Sequence, residues 1–328
     1  MKTAYQDQLH EAKRFMESYN HFLVVSHIHP DGDAASSTCA IGLILDFLGK
    51  PYTLMNEGAV PGKLSYLKGF DQIVNYTLSD RNYSFDAVIS VDCADFERMG
   101  ETVKLFPKDI PLLNIDHHPT NDQFGTVNLV EPQAAATAEI LFDLVEYIQI
   151  PWSKELSDCI YTGLLTDTGG FRYSNTSSKV MKAASQLLDY GTDGYELSDR
   201  LLEQTTRAHV ELLKKSLNSL SFAHDDQIAW VTVGKEDMRE TGAMQEDLEG
   251  IVNYPRNIAG VEVGMLFKEM MDGTVKCSFR SAGKADVARI AQKFGGGGHV
   301  RAAGATLKAP LTQAIEMVVE EVKRALDA

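Results

Sequence analysis

Apolar and polar positions in the first half of the chain alternate between two periods. Short continuous apolar runs occur at HFLVVS (21–26), YTLMNE (52–57), FDAVISVD (85–92), LLNIDHH (112–118) and TVNLV (126–130). Stretches with helical spacing occur at 35–50, 134–148 and 154–168, and an amphipathic helix is expected over the first 20 residues. Apolar strands separated by helices predict a parallel sheet covered on both faces, hence a Rossmann-like α/β domain. Residues 197–220 carry few helix breakers and are expected to form one long helix. Beyond it the pattern changes. Strands are expected at 227–233, 261–270 and 274–281, with helices at 247–254 and 285–294, giving a smaller α/β domain with a mixed sheet. The resulting division is a first domain at 1–196, a linker helix at 197–220 and a second domain at 221–328.

Composition narrows the class. At 328 residues the chain is long enough for two cores, and no apolar run approaches a membrane span, so no membrane partner is expected. The first residues lack the apolar region of a secretion signal. Cys39, Cys93, Cys159 and Cys277 lie far apart, a pattern of buried thiols in a reducing compartment, and the cytoplasm is the expected location. The net charge of −15 argues against a non-specific nucleic-acid coat. It hides a basic region, because residues 268–301 hold seven lysines and arginines against three acids. A solvated face is the more common explanation of such a patch.

Candidate chemistry collects where apolar runs end. The first run leads into HIHPDGDAA, with His27, Asp31 and Asp33; the third ends in Asp92; the fourth ends in Asp116, His117 and His118. Ligands bind at the carboxyl ends of strands in open parallel sheets. Pro30 and Gly32 argue against a helix through the first group, so its three side chains are expected to fold around a point from a loop. Asp167, in LLTDTGGF, ends a helical stretch and can reach the same place. Taken singly, each has a plain explanation: His27 as a bonded core residue, Asp31 and Asp33 as turn formers, Asp92 as a helix cap. Recurrence at three strand ends favours metal binding. So many carboxylates in one cleft need cations, and mixed Asp/His ligation suits manganese better than calcium. DGDAAS lacks the spacing of an EF-hand loop, and no cysteine-rich zinc site is present.

HIHPDGDA, VDCAD, IDHHP and LLTDTGGF, in this order, resemble the four motifs of the DHH phosphoesterase superfamily. GGGGHVRAAGA (295–305) resembles the signature of its DHH-associated C-terminal domain. The resemblance covers essentially the whole chain. It implies that His27, Asp31 and Asp92 hold one divalent metal, and that Asp33, Asp92, His117 and Asp167 hold the other. Manganese is the expected ion, with magnesium or cobalt as alternatives. It further implies that Asp116 orients its neighbours, and that His118 serves the scissile phosphate or the leaving group. Two such metals generate a hydroxide that attacks phosphorus, so no serine or cysteine nucleophile is needed.

Manganese-type inorganic pyrophosphatases carry a different second domain, and the large single-strand exonucleases of the superfamily carry further domains. The compact oligoribonucleases (nanoRNases) fit best. They imply a homodimer acting on short RNA, on dinucleotides such as pApA, on cyclic dinucleotides, or on 3′-phosphoadenosine 5′-phosphate (pAp). Substrate grip is expected from the backbone of Gly296, Gly297 and Gly298, from His299 and Arg301, and from Arg280 and Ser281, with Arg172 a further candidate. A flexible linker is the alternative reading of the glycine run. Pyrophosphatase or exopolyphosphatase chemistry, and a nucleotide-sensing protein without turnover, remain as alternatives.

Overall fold

A computed structural model describes residues 4–79 and 83–327; the outermost residues of the first expected helix and of the second domain lie outside these ranges. The chain divides into two compact units, Met1–Gln204 and Thr205–Ala328.

In the first unit, β1 (Phe22–Val25), β2 (Tyr52–Asn56), β3 (Val74–Asn75), β4 (Ala87–Val91), β5 (Leu112–Asp116) and β6 (Val127–Val130) form one parallel sheet in the order β3-β2-β1-β4-β5-β6. Strand order reverses between β1 and β4, and there a doubly wound sheet opens a crevice at its carboxyl edge. All residues of β1, β4 and β5 are buried, which is why they read as largely apolar runs. Their side chains alternate between two cores. Phe22, Val24 and Ile89 join the larger core, whereas Leu23, Val25 and Val88 face the smaller one.

The larger core is closed by α1 (Ala4–Ser18), α2 (Gly32–Phe47), α3 (Thr137–Ile148), α4 (Lys154–Asp167) and α5 (Ser178–Asp189). The smaller core differs from the helical cover expected. Met99 and Val103 pack there from a 3-10 segment, Phe96–Leu105, broken at Gly100, together with the flanking Cys93 and Phe106. The stretch 197–220 is not one helix. A short α6 (Gly194–Ser198) runs into a π-turn (Asp199–Glu203), the chain extends at Gln204, and α7 (Arg207–Leu217) starts afresh. Thr206 forces the restart, because its hydroxyl accepts the His209 N–H at 2.9 Å and caps α7. The division between units therefore falls at a break within the expected linker.

The second unit has β7 (Ser221–Ala223), β8 (Ile228–Val233), β9 (Val263–Glu269), β10 (Val275–Ser281), β11 (Gly297–His299) and β12 (Ala302–Leu307) in the order β11-β12-β10-β9-β8-β7. β8 and β9 pair in parallel and the other neighbours antiparallel, so the sheet is mixed. Helices α8 (Lys235–Thr241), α9 (Asn253–Arg256), α10 (Val287–Gln292) and α11 (Leu311–Asp327) complete it. The helix expected at 247–254 is replaced by a 3-10 turn at Glu246–Leu248 and the short α9, because Gly250 turns to a φ of 82° between them.

Candidate metal centre

The site grows from the two strands at the reversal point and from β5 beside them. His27 follows β1 and is buried; its Nδ1 donates to the Ile28 carbonyl at 3.0 Å. That bond places a proton on Nδ1 and turns Nε2 toward the carboxylates, 3.5 Å from Asp92 Oδ2 and 3.8 Å from Asp31 Oδ1. Asp31 caps α2, accepting the Ala34 N–H at 3.1 Å. The loop expected to carry all three residues ends there, since Asp33 already sits in the first helical turn. Pro30 precedes the helix, so it stops nothing, and the Asp31 cap lets Gly32 begin the turn.

Asp33 is fully buried and heavily bonded. Oδ2 accepts the Thr137 N–H at 2.6 Å, and Oδ1 accepts the Ala138 N–H at 3.0 Å and the Ser37 hydroxyl at 3.3 Å. These amides open α3, so the positive end of that helix faces the carboxylate. Asp92, just past β4, takes a left-handed φ of 58°, rare for a residue with a Cβ, and its N–H donates to the Ile115 carbonyl at 3.0 Å. Its Oδ1 accepts the Thr137 hydroxyl at 3.0 Å.

Beyond β5, His117 Nδ1 makes a long 3.4 Å bond to the Ala134 carbonyl. Its Nε2 lies 3.6 Å from Asp92 Oδ1 and 3.4 Å from Asp167 Oδ2, at the end of α4. Asp116 is buried and does not enter the cluster. One oxygen meets His118 Nδ1 at 2.7 Å and the other accepts the Asn121 amide at 2.7 Å.

The ligand atoms fall into three groups, each within 4.8 Å: His27, Asp31 and Asp92; Asp33, His117 and Asp167; and Asp92, His117 and His118. Asp92 links the first group to the imidazoles of the others. Burial first, and then the neighbouring carboxylates, push Asp33 and Asp167 well above the usual carboxylate range. Burial alone would lower the His27 imidazole, yet the Asp31 and Asp92 carboxylates outweigh it and raise it to about 10. Negative charge on this scale demands protons or cations. The converging carboxylates and the Nε2 atoms freed by carbonyl bonds fit divalent ions. The mouth is at Asp31, whose side chain is 59% exposed against 4% for Asp92.

Sequence reasoning missed three contributors. Thr137 holds Asp33 through its amide and Asp92 through its hydroxyl, and Asn121 braces Asp116 while donating to the Cys93 carbonyl at 3.0 Å. Gly163 of α4 is the third, since a Cβ there would lie 2.4 Å from Asp33 Oδ1 and 2.5 Å from the Ala138 Cβ. Only Thr137 left a trace in the sequence, as a polar residue opening an apolar helix.

The residues expected to grip phosphate are placed unequally. Arg280 pairs with Ala302 across β10 and β12, and Ala302 pairs with His299 across β12 and β11, so Arg280 and His299 share one row and one face. Ser281 is the next residue on β10 and points to the opposite face. It is 2% exposed, and its hydroxyl donates to Glu262 Oε1 at 3.2 Å, an oxygen that also accepts the N–H groups of Gly283 (2.9 Å) and Lys284 (2.5 Å). The expected Ser281 contact is therefore replaced by an internal one. Gly296 donates its N–H to the Ala291 carbonyl at 2.9 Å, while Gly297 and Gly298 lie in β11 rather than in a nest. The glycines permit a close approach: a Cβ on Gly296 would lie 2.1 Å from the Gly304 carbonyl oxygen. Arg301 is exposed in the turn before β12, and its carbonyl accepts the Ser281 N–H at 3.0 Å. Arg172, in the first unit, is exposed and its Nε donates to the Gly169 carbonyl at 2.6 Å.

Residues 21–164 match the N-terminal domain of the DHH family, and residues 225–328 match the DHHA1 domain. The chain is 34% identical over 305 residues to the bifunctional oligoribonuclease and PAP phosphatase NrnA of Thermus thermophilus, spanning 92% of this chain and 89% of that protein. It is 29% identical over 300 residues to the Bacillus subtilis protein of the same name, spanning 90% and 92%. The crystal structure of an exopolyphosphatase-related protein from Bacteroides fragilis covers 98% of both chains at 26% identity, with a TM-score of 0.90. Strand order, the shared acid–imidazole cluster and these likenesses define a metal-dependent phosphoesterase. The chain belongs to the DHH family, in its two-domain nanoRNase group.

Proposed function

We propose that this enzyme hydrolyses short oligoribonucleotides and dinucleotides such as pApA to 5′-mononucleotides, and pAp to AMP, using two divalent ions, manganese by preference. The NrnA relatives carry both activities in their names. The observation that carries the reading is the sharing of Asp92: it stands in one ligand group with His27 and Asp31, and lies 3.6 Å from the His117 that belongs with Asp33 and Asp167. His27, Asp31 and Asp92 would hold one ion, and Asp33, Asp92, His117 and Asp167 the other. When bound, such a pair activates water and neutralises charge gathering on phosphorus.

This chain's own residues do the rest. His118, its Nδ1 bonded to Asp116 at 2.7 Å, would donate a proton to the phosphate or to the departing 3′-oxygen. Asp116, braced by Asn121, sets the ring's orientation without touching substrate. The P–O3′ bond breaks, water's oxygen stays on phosphorus, and the departing oxygen leaves protonated. In the second unit, Arg280 and His299, on one face of the sheet at either side of Ala302, and Arg301 supply cationic and hydrogen-bonding contacts to a terminal phosphate, with the backbone of Gly296, Gly297 and Gly298 in support. Arg172 is a further candidate for phosphate contact within the first unit. A homodimer belongs to the same proposal, as does a cytoplasmic location in keeping with four buried free thiols. Among the described residues no helix is long and apolar enough to cross a membrane.

The test is a panel of pApA, longer RNAs, pAp, cyclic dinucleotide, pyrophosphate and polyphosphate, each with manganese, magnesium and cobalt, read as initial rates. Manganese-dependent release of 5′-mononucleotides from the shortest RNAs, and of AMP from pAp, is expected. Polyphosphate is included because of the name carried by the Bacteroides structure. Fast cleavage of pyrophosphate or polyphosphate with slow cleavage of dinucleotides would overturn the proposal, as would tight nucleotide binding without turnover.

A further inference from the structure

The loop after Asp167 is built with more care than a connection between α4 and α5 needs. Thr168 is its hub. Its carbonyl accepts the N–H groups of Arg172 (3.0 Å) and Tyr173 (2.9 Å), and its hydroxyl accepts the Phe171 N–H at 2.9 Å while donating to the Leu164 carbonyl at 2.6 Å. Three successive residues are left-handed: Gly169 at 57°, Gly170 at 75° and Phe171 at 61°. Phe171 carries a side chain into that region at a cost, and its ring is pinned edge-on to Tyr161 at 5.7 Å between centroids. Asn175 then returns to the start of the loop, donating to the Asp167 and Ala135 carbonyls at 3.1 Å each.

This construction presents one side chain. The Tyr173 ring lies on the Gly169 backbone so closely that a Cβ there would sit 2.3 Å from Cζ, yet the residue is 53% exposed. Packing does not explain strained backbone spent on holding a half-exposed ring. What the arrangement yields is a rigid aromatic face, supported from behind, on a loop that Asn175 fastens to the Asp167 and Ala135 carbonyls. A phosphate at the Asp33, His117 and Asp167 group would carry its nucleoside to that neighbourhood. Aromatic faces accept any nucleobase, because every base offers a π surface.

We infer that Tyr173 is a stacking platform for a nucleobase beside the scissile phosphate, favouring nucleotides over base-free phosphoesters at this site. The inference rests on the phosphoesterase reading above and names a specificity residue for it. Its test is a two-by-two comparison in the full-length, metal-loaded enzyme: wild type and Tyr173→Ala, each with pApA and with its abasic counterpart. Tyr173→Ala is expected to raise KM for pApA about tenfold, with little change in kcat, the scale of one lost base–aromatic stack. The abasic KM should be the same for both proteins, and Tyr173→Phe should restore the pApA value. An equal rise for both substrates, a fall in kcat on both, or an unchanged pApA KM would overturn the inference. Quenching of a hydrolysis-resistant dinucleotide carrying 2-aminopurine supplies a readout without turnover. Loss of the quench in Tyr173→Ala supports stacking, and equal quenching refutes it. A wild type that quenches but never cleaves would sink the phosphoesterase reading while leaving the platform in place.

Discussion

The carboxyl edge of the first sheet and the glycine-rich edge of the second both drew attention in the sequence, and they are built on opposite terms. At the first edge, protein partners orient the polar groups without satisfying them: His27 and His117 spend Nδ1 on carbonyls and keep Nε2, and Asp33 and Asp167 stay crowded with like charge. At the second, partners are largely complete: Ser281 bonds Glu262, Gly296 bonds Ala291, and the following glycines enter a strand. Polar residues that fold together and still lack neutralisation mark a site for a ligand; those that find partners within the fold mark architecture.

Substitutions can break or sharpen that contrast. The largest effect is expected from Asp92→Ala, which removes the carboxylate proposed to serve both ion positions. Turnover should fall by roughly a thousandfold or more, with metal occupancy measured by elemental analysis falling in parallel. A well-occupied, active variant would end the shared-ligand reading. Next comes Thr137→Val, which deletes the hydroxyl on Asp92 while keeping the amide on Asp33. Loss of a bond that orients a ligand should weaken metal binding about 10–100-fold in a titration, with the fold intact by circular dichroism. Glu262→Gln probes the other edge: exchanging the charged acceptor of several amides for a neutral one should cost about 1–3 kcal/mol in denaturant unfolding and leave metal affinity unchanged. Smallest is Ser281→Ala, which should cost about 1 kcal/mol of stability and leave KM near its wild-type value. A marked rise in KM for Ser281→Ala would return that hydroxyl to the substrate.

How much of this was readable beforehand depends on the signal each feature leaves. β1, β4 and β5 were plain because strands buried on both faces are dominated by apolar residues, with Ser90, Asn114 and Asp116 the polar exceptions. Six of the seven cluster residues were expected from their recurrence after strand ends, and Asp167 from the end of a helical stretch before two glycines. The early start of α2 was not, since that helix is buried almost all round from Gly32 to Leu45 and offers no amphipathic period. The break at 204–206 escaped because Thr205 and Thr206 continue the polar pattern without a glycine or proline. Thr137 was invisible as a partner, its contacts with Asp33 and Asp92 spanning 104 and 45 positions. Ser281 was different, for strand alternation alone separates it from Arg280, and that rule was available.

Asp33 has a wider consequence. It leaves α2, is gripped by the opening amides of α3, and lies where only a glycine of α4 gives it room. Whatever draws on that single carboxylate is therefore felt by three segments remote from one another along the polypeptide. Hydrogen exchange in the opening turns of α2 and α3 should slow in step as an ion arrives, so the breathing of this half of the molecule becomes a gauge of its metal supply.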